Sequence, residues 1–223
     1  MQQQAADENL KDYYARRARE YERIYDKPER QDDLAGLREI VPSLLDGRDV
    51  LEIACGTGYW TQHVATRAES VLATDVNEEV LELARLKPFP RGNVEFARVD
   101  IYSDDELAGC FDAGLGAFWW SHVPRQGIGR FLECFHRRLE PGATIVFLDN
   151  RYVEGSSTPL TRTDDDGNTY QTRKLDDGTQ YEVLKNIPDE AELASVLGKC
   201  AATLEYAELD YFWYATYRVA EQL

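Results

Sequence analysis

The chain has 223 residues, 43% of them hydrophobic, and a formal net charge of −16. That length suits one α/β domain, residues 1–223, with a sizeable core. No apolar run approaches the ~20 residues of a membrane span, and Met1-Gln2-Gln3-Gln4 lacks the basic-then-apolar order of a secretory signal. An acidic surface repels nucleic-acid phosphate and anionic membranes, which argues against DNA or RNA and for a small-molecule ligand. Cys55, Cys110, Cys134 and Cys200 have no C-x-x-C spacing and read as reduced thiols of a cytoplasmic protein, not as disulfides or metal ligands.

In chain order, residues 1–8 are polar and expected to fray. Leu10, Tyr14, Ala18, Tyr21 and Tyr25 fall on one face of a helix predicted over 9–25, which Asp26-Lys27-Pro28 ends. A second helix follows over 30–44, with Leu34, Leu37, Ile40 and Val41 turned to the core. Strands and helices then alternate: strands at 49–54, 70–75, 93–98, 111–118 and 143–149, helices at 59–68, 78–86, 103–108 and 127–139. Repeated βα units imply a parallel sheet covered on both faces, with ligands at the strand C-terminal ends. After 150 the pattern changes. Residues 169–175 and 179–184 flank Asp177-Gly178, a hairpin signal, inside an insertion over 151–185. A helix at 189–197 and two strands, 202–208 and 211–219, close the chain. The insertion can cover the site of its own chain or pair with a second subunit, so monomer and homodimer both stay open.

The segment Val50-Leu51-Glu52-Ile53-Ala54-Cys55-Gly56-Thr57-Gly58 carries the most information. An apolar strand ends in a glycine loop, and the next apolar strand, Val71-Leu72-Ala73-Thr74-Asp75, ends in an acid. Glycine lets the backbone approach a ligand closely, and an acid there can accept hydrogen bonds from a ribose diol. A dinucleotide fingerprint needs a third small residue, but Thr61 stands at that position behind bulky Tyr59 and Trp60. A phosphate-binding loop ending in Gly-Lys-Ser or Gly-Lys-Thr is absent from the sequence.

The acid before a G-x-G loop, at Glu52, Ala54, Gly56 and Gly58, resembles motif I of the class I S-adenosylmethionine (SAM)-dependent methyltransferases. The order of elements over 49–149 resembles that family too. The resemblance implies a Rossmann-like α/β fold: a seven-stranded, mostly parallel sheet, an N-terminal helical lid (1–45), a SAM-binding core (49–149) and an antiparallel end (within 186–223). It implies SAM as cofactor, with Asp75 on the ribose, Val76 on the adenine face, Asp100 near the adenine amino group and Ile101 walling the ring. Phe118 and Trp119 would reach the cofactor. Glu52 would contact it directly or order the loop from below.

For the acceptor, Trp120 and His122 follow the fourth strand. His122 could take a proton or orient the acceptor, or be a hydrogen-bonded structural histidine. His63 and His136 read as structural or surface residues. Tyr14 and Tyr21 share a helix face and could close over the site, Tyr14 as a catalytic phenol and Tyr21 near the methionine end of the cofactor; half-buried packing is the plainer reading. Asn150, Arg151, Arg162 and Trp213 complete the candidate acceptor pocket, although each arginine alone reads as well as a surface ion pair. No metal is expected.

The segments Trp119-Trp120-Ser121-His122-Val123-Pro124 and Asp149 to Ser157 are similar to methyltransferase domains joined to ovothiol-type sulfoxide synthases. That resemblance implies a nitrogen acceptor such as a histidine-derived imidazole. Transfer to oxygen or sulfur, a non-catalytic SAM-binding role and a nucleotide-dependent oxidoreductase are the competing readings.

Overall fold

The computed structural model describes residues 2–103, 107 and 110–220. Most of the helix expected at 103–108 lies outside them. The elements are α1 (Gln2–Arg17), α2 (Gln31–Leu44), β1 (Asp49–Ile53), α3 (Tyr59–Val64), β2 (Ser70–Asp75), α4 (Glu78–Arg85), β3 (Val94–Arg98), β4 (Ala113–Ala117), α5 (Ile128–His136), β5 (Thr144–Asn150), β6 (Arg162–Thr163), β7 (Thr169–Lys174), β8 (Gln180–Leu184), α6 (Glu190–Leu197), β9 (Ala201–Glu208) and β10 (Phe212–Val219).

Seven strands form one sheet in the order β3-β2-β1-β4-β5-β10-β9. Pairs from β3 to β5 are parallel, while β10 runs antiparallel to both β5 and β9. Strand order reverses between β1 and β4, and crevices at such a reversal are where open α/β sheets bind ligands. The fold is the expected mostly parallel sheet with an antiparallel end.

Alternation along the strands divides the core into two layers. Val50, Leu115, Val146 and Leu148 pack with Leu34, Leu37 and Val41 of α2, Val64 of α3 and Leu81 of α4. Leu51, Ile53, Ile145 and Phe147 pack on the other face, with Phe131 and Phe135 of α5 and Leu193 and Leu197 of α6. Because both faces are covered, β1 and β5 carry consecutive rather than alternating apolar residues, Val50-Leu51 and Ile145 to Leu148. Strand β4 is short of bulk because Phe135 and Phe147 need the space. A Cβ on Gly114 would lie 2.6 Å from the Phe135 ring, and one on Gly116 2.6 Å from the Phe147 ring.

The N-terminal region differs from expectation. Its helix begins at Gln2 and stops at Arg17, and residues 21–25 form a separate 3-10 turn. The break lets Tyr25 reach the core, stacked on Tyr59 at 3.7 Å between ring centroids. That tertiary contact prevails over the helical periodicity.

The insertion folds as a three-stranded antiparallel sheet, β6-β7-β8, turned at Asp177-Gly178 with Gly178 at φ +89°. It packs against α1 of the same chain. Tyr13 is buried with Leu175, Tyr181 and Val183, Arg16 donates to the Tyr181 hydroxyl at 2.9 Å, and the Asn9 amide donates to the Glu182 carbonyl at 2.8 Å. Helix α6 opens with the capping box that Asp189 and Glu192 form. No helix among the described residues is long and apolar enough to cross a membrane.

Candidate active site

Strands β1, β2, β3 and β4 end on one cavity of about 530 Å³. Ala54, Gly56, Asp75, Val76, Asp100, Ile101, Phe118 and Trp119 line it, together with Tyr14, Tyr21 and His122. These residues are thereby brought together.

The loop after β1 is held from both sides. Cys55 N donates to the Thr74 carbonyl at 2.9 Å and Gly58 N to the Cys55 carbonyl at 3.0 Å. Gly56, at φ +56°, turns its N–H onto Asp75 Oδ2 at 3.0 Å. Asp75 Oδ1 accepts from Asn77 N at 2.9 Å. Each carboxylate oxygen thus has one backbone donor and keeps acceptor capacity toward the cavity. Burial pushes the Asp75 pKa up, against the opposing pull of those N–H groups. Asn77 takes the cap position of α4 without a side-chain cap bond; Asp75 holds its backbone instead.

Two non-glycine residues on the cavity wall have positive φ, Ala54 at +49° and Phe118 at +59°. Such conformations cost on the order of 1–3 kcal/mol each and persist where surrounding bonds fix them. For Phe118 that bond is its N–H to the Leu148 carbonyl, 2.7 Å. After β3, Asp100 accepts from Tyr102 N at 3.0 Å and from Lys11 Nζ of α1 at 3.0 Å, so α1 reaches across to the β3 end of the cavity.

His122 and Tyr14 form a dyad. His122 Nδ1 lies 2.7 Å from the Leu184 carbonyl, which can only accept, so this nitrogen carries the proton. Nε2 then accepts from the Tyr14 hydroxyl at 2.7 Å. Burial, followed by the charge of Lys185, pushes the His122 pKa down to about 3; burial raises that of Tyr14 well above the usual phenol range. The pair is therefore neutral near pH 7. Behind it, Lys185 Nζ donates to Asp149 Oδ1 at 2.9 Å and to Ser121 Oγ at 2.5 Å, while Ser121 N donates to Asp149 Oδ2 at 3.0 Å. Although burial opposes ionisation of Asp149, Lys185 keeps its pKa below the ordinary value.

Several sequence-predicted residues stand elsewhere. Glu52 is enclosed behind the loop, with Oε2 accepting from Thr61 Oγ1 at 2.6 Å. Its Oε1 has no partner among the described residues, and burial pushes its pKa up to about 8. Glu52 thus lies behind the loop, bonded to Thr61, and away from the cavity lining, the position expected of a residue that orders the loop from below. Gly58 (φ +75°) faces Ala84, whose Cβ would lie 3.1 Å from an added Cβ, so this glycine serves helix packing. Trp120 and Trp213 are core residues, edge to face at 6.3 Å, because the indoles fill the layer beneath the sheet. Asn150 accepts from Arg30 and donates to Asp149. Arg151 pairs with Glu208 and donates to the Leu209 carbonyl. Arg162 lies exposed, forked onto Glu182 and stacked 3.6 Å from the centroid of Tyr170. None of these seven lines the cavity. His136 bonds the Tyr217 hydroxyl at 2.7 Å, and His63 packs edge-on to Tyr59, matching their structural readings.

Sequence reasoning missed Lys11, Arg17, Arg30, Arg173 and Lys185. Nothing local marks them, since their partners are up to 126 residues away along the chain, as for Arg30 and Ser156.

The glycine loop, the strand-end acids and the switch-point cavity define a SAM-binding domain. Gly56, Asp75, Val76, Asp100, Ile101, Phe118, Trp119 and Tyr21 fit that cofactor: an acid with spare acceptors, a close-approach loop and apolar walls line one space.

A family model described as a methyltransferase domain matches residues 50–142. The chain is 36% identical over 109 residues to the magnesium-protoporphyrin O-methyltransferase of Rhodobacter capsulatus, covering 48% of this chain and 47% of the relative. It is 32% identical over 106 residues to a ubiquinone biosynthesis O-methyltransferase of Pseudomonas aeruginosa, covering 47% and 44%. The chain thus spans about half the length of the curated relatives it matches. The solved complex of DhpI with SAH is similar across 97% of this chain and 98% of that one, with a TM-score of 0.79 and 29% identity. Residues 50–142 thus match a methyltransferase domain, and the whole chain has the fold of the class I SAM-dependent methyltransferases.

Proposed function

We propose that this chain transfers a methyl group from SAM to a small molecule seated against Tyr14 and His122, and that the acceptor atom is a hydroxyl oxygen. One observation carries this reading: a neutral Tyr14–His122 dyad with fixed tautomer lines the same cavity as the cofactor acids. SAM supplies an already activated methyl on its sulfonium. The residues have to orient the acceptor, exclude water and manage its proton. Tyr14 can accept a hydrogen bond from the acceptor hydroxyl while donating its own to His122 Nε2, so the neutral dyad fixes the orientation of the acceptor oxygen. Positioning alone can contribute ~7–11 kcal/mol in favourable cases.

Lys185 beside His122 disfavours a protonated amine as acceptor. An imidazole nitrogen, which needs placement more than deprotonation, is the second reading; the resemblance of 119–124 and 149–157 to ovothiol-type domains favours it. The test is a transfer assay with 13C-methyl-labelled SAM across alcohols, phenols, imidazoles, amines and thiols, the product methyl being assigned by NMR. An O-methyl product supports the reading, and methylation of nitrogen alone replaces it with the second. Failure to bind SAH in calorimetry would overturn both.

A further inference from the structure

Beside the dyad, in a chain of net charge −16, stands a group of cations that carboxylates do not neutralise. Arg173 of β7 is half-buried. It donates to Thr158 Oγ1 at 3.0 Å and to Gln171 Oε1, both neutral partners. Arg30 is buried and donates to Ser156 Oγ at 3.0–3.1 Å and Asn150 Oδ1 at 3.0 Å. Lys27 donates to the Ser156 carbonyl at 2.5 Å. Arg17, at the end of α1, lies 5.5 Å from the ring centroids of both Tyr13 and Tyr21. Among the described residues, none of these four has a carboxylate oxygen within 4.0 Å of its charged nitrogens. Lys185 alone of the group is paired, with Asp149. Glu29 reaches the same loop, accepting from Ser156 Oγ at 2.8 Å, but from an exposed position.

These charges act on one another and on the site. Arg173 depresses the protonation of Lys27, Arg30, Lys185 and His122, each of which burial already disfavours. Its own proton is disfavoured first by burial, while the phenol groups of Tyr14 and Tyr13 favour it when ionised. Partly desolvated like charges packed together are costly unless an anion joins them. The planar fork of arginine suits a carboxylate or phosphate oxygen pair.

We propose that the acceptor molecule carries an anionic group, a carboxylate or a phosphate-type group, held by Arg17, which lies against the cavity residue Tyr21, and by Arg173, paired across the hairpin with Tyr181, whose ring packs on Tyr13. Lys27 and Arg30 fix the 156–158 loop on which Arg173 rests and add to the positive field. The proposal rests on the methyl-transfer reading and names its substrate class.

The test uses the full chain saturated with SAH at low ionic strength, titrated calorimetrically with inorganic phosphate and, separately, with acetate. At least one anion binds the wild-type protein, and the tighter of the two identifies the source. Arg173→Gln weakens that binding by about tenfold while SAH affinity is unchanged. Arg67→Gln, an equal loss of charge beside Glu39 on the surface, leaves it unchanged. If Arg173→Gln does not fold, Arg173→Lys, which keeps the charge and loses the fork, weakens binding by a smaller factor. SAH binding without binding of either anion overturns this proposal alone, as does anion affinity indifferent to both Arg173 variants or equally weakened by Arg67→Gln. Failure of SAH to bind overturns the methyl-transfer reading instead.

Discussion

The half of the cavity that we assign to the cofactor draws on Ala54, Gly56, Asp75, Val76, Asp100, Ile101, Phe118 and Trp119, all within successive β-α units and all at strand ends. The acceptor half draws on α1, the turn after β4, β7 and the end of β8, with the 156–158 loop behind it. The first is held by short backbone bonds, such as Gly56 N to Asp75, and the second by buried side-chain pairs between segments far apart in sequence. Local construction lets a family keep its cofactor. Assembly from distant segments lets the acceptor site change without disturbing it.

The largest effect is expected at Lys185, on the acceptor side. Lys185→Met leaves Asp149 buried without its partner and lowers stability by about 3–5 kcal/mol in denaturant unfolding. A loss under 1 kcal/mol would show that the pair does not anchor this half. Tyr14→Phe removes the phenol that joins the dyad and lowers kcat by about 100-fold, with SAH affinity unchanged in calorimetry; if SAH binding falls in parallel, the two halves are not separate. Asp75→Ala does the reverse. It weakens SAH binding by roughly 1–3 kcal/mol, as expected for charge-assisted bonds, and unchanged affinity would place the cofactor elsewhere.

Two pH effects are smaller and of opposite sign. Glu52 has a folded pKa of about 8 against an ordinary 4.5, so the native state retains its proton between those values. Its stabilising contribution is present below pH 4.5 and is lost as pH rises through 8. Glu52→Gln therefore melts higher than wild type at pH 8.5, by an amount on the order of 1–3 kcal/mol, and the gap closes near pH 5. His122 is depressed from 6.5 to about 3, so its contribution is present above pH 6.5 and lost as pH falls toward 3. His122→Gln flattens that acid limb of the melting curve, and the rate profile of the wild-type enzyme carries no His122 titration between pH 5 and 8. An inflection there that disappears in His122→Gln would contradict its neutral role.

The sheet was legible because its strands are apolar on both faces and its turns carry glycine and proline. The Asp177-Gly178 hairpin was legible for the same reason, being local chemistry. The residues that line the cavity at the strand ends followed from spacing, whereas Glu52 and Gly58 do not line it, since no spacing reveals their side of the loop. Trp120 and Trp213 look like a binding surface in sequence and are core in three dimensions, because only packing decides which face of a strand end an indole fills. Arg151 and Arg162 look like anion ligands, yet Glu208 and Glu182 claim them. Arg173 carries no local signal and is brought toward the end of α1 only through the docking of that helix on the inserted sheet, where Tyr13 packs on Tyr181. By itself the sequence determined the layered α/β fold and the cofactor, since both rest on periodicity and neighbouring residues. Tertiary structure alone decided the acceptor half, since burial and charge pairing between distant segments set the protonation and orientation of every group there.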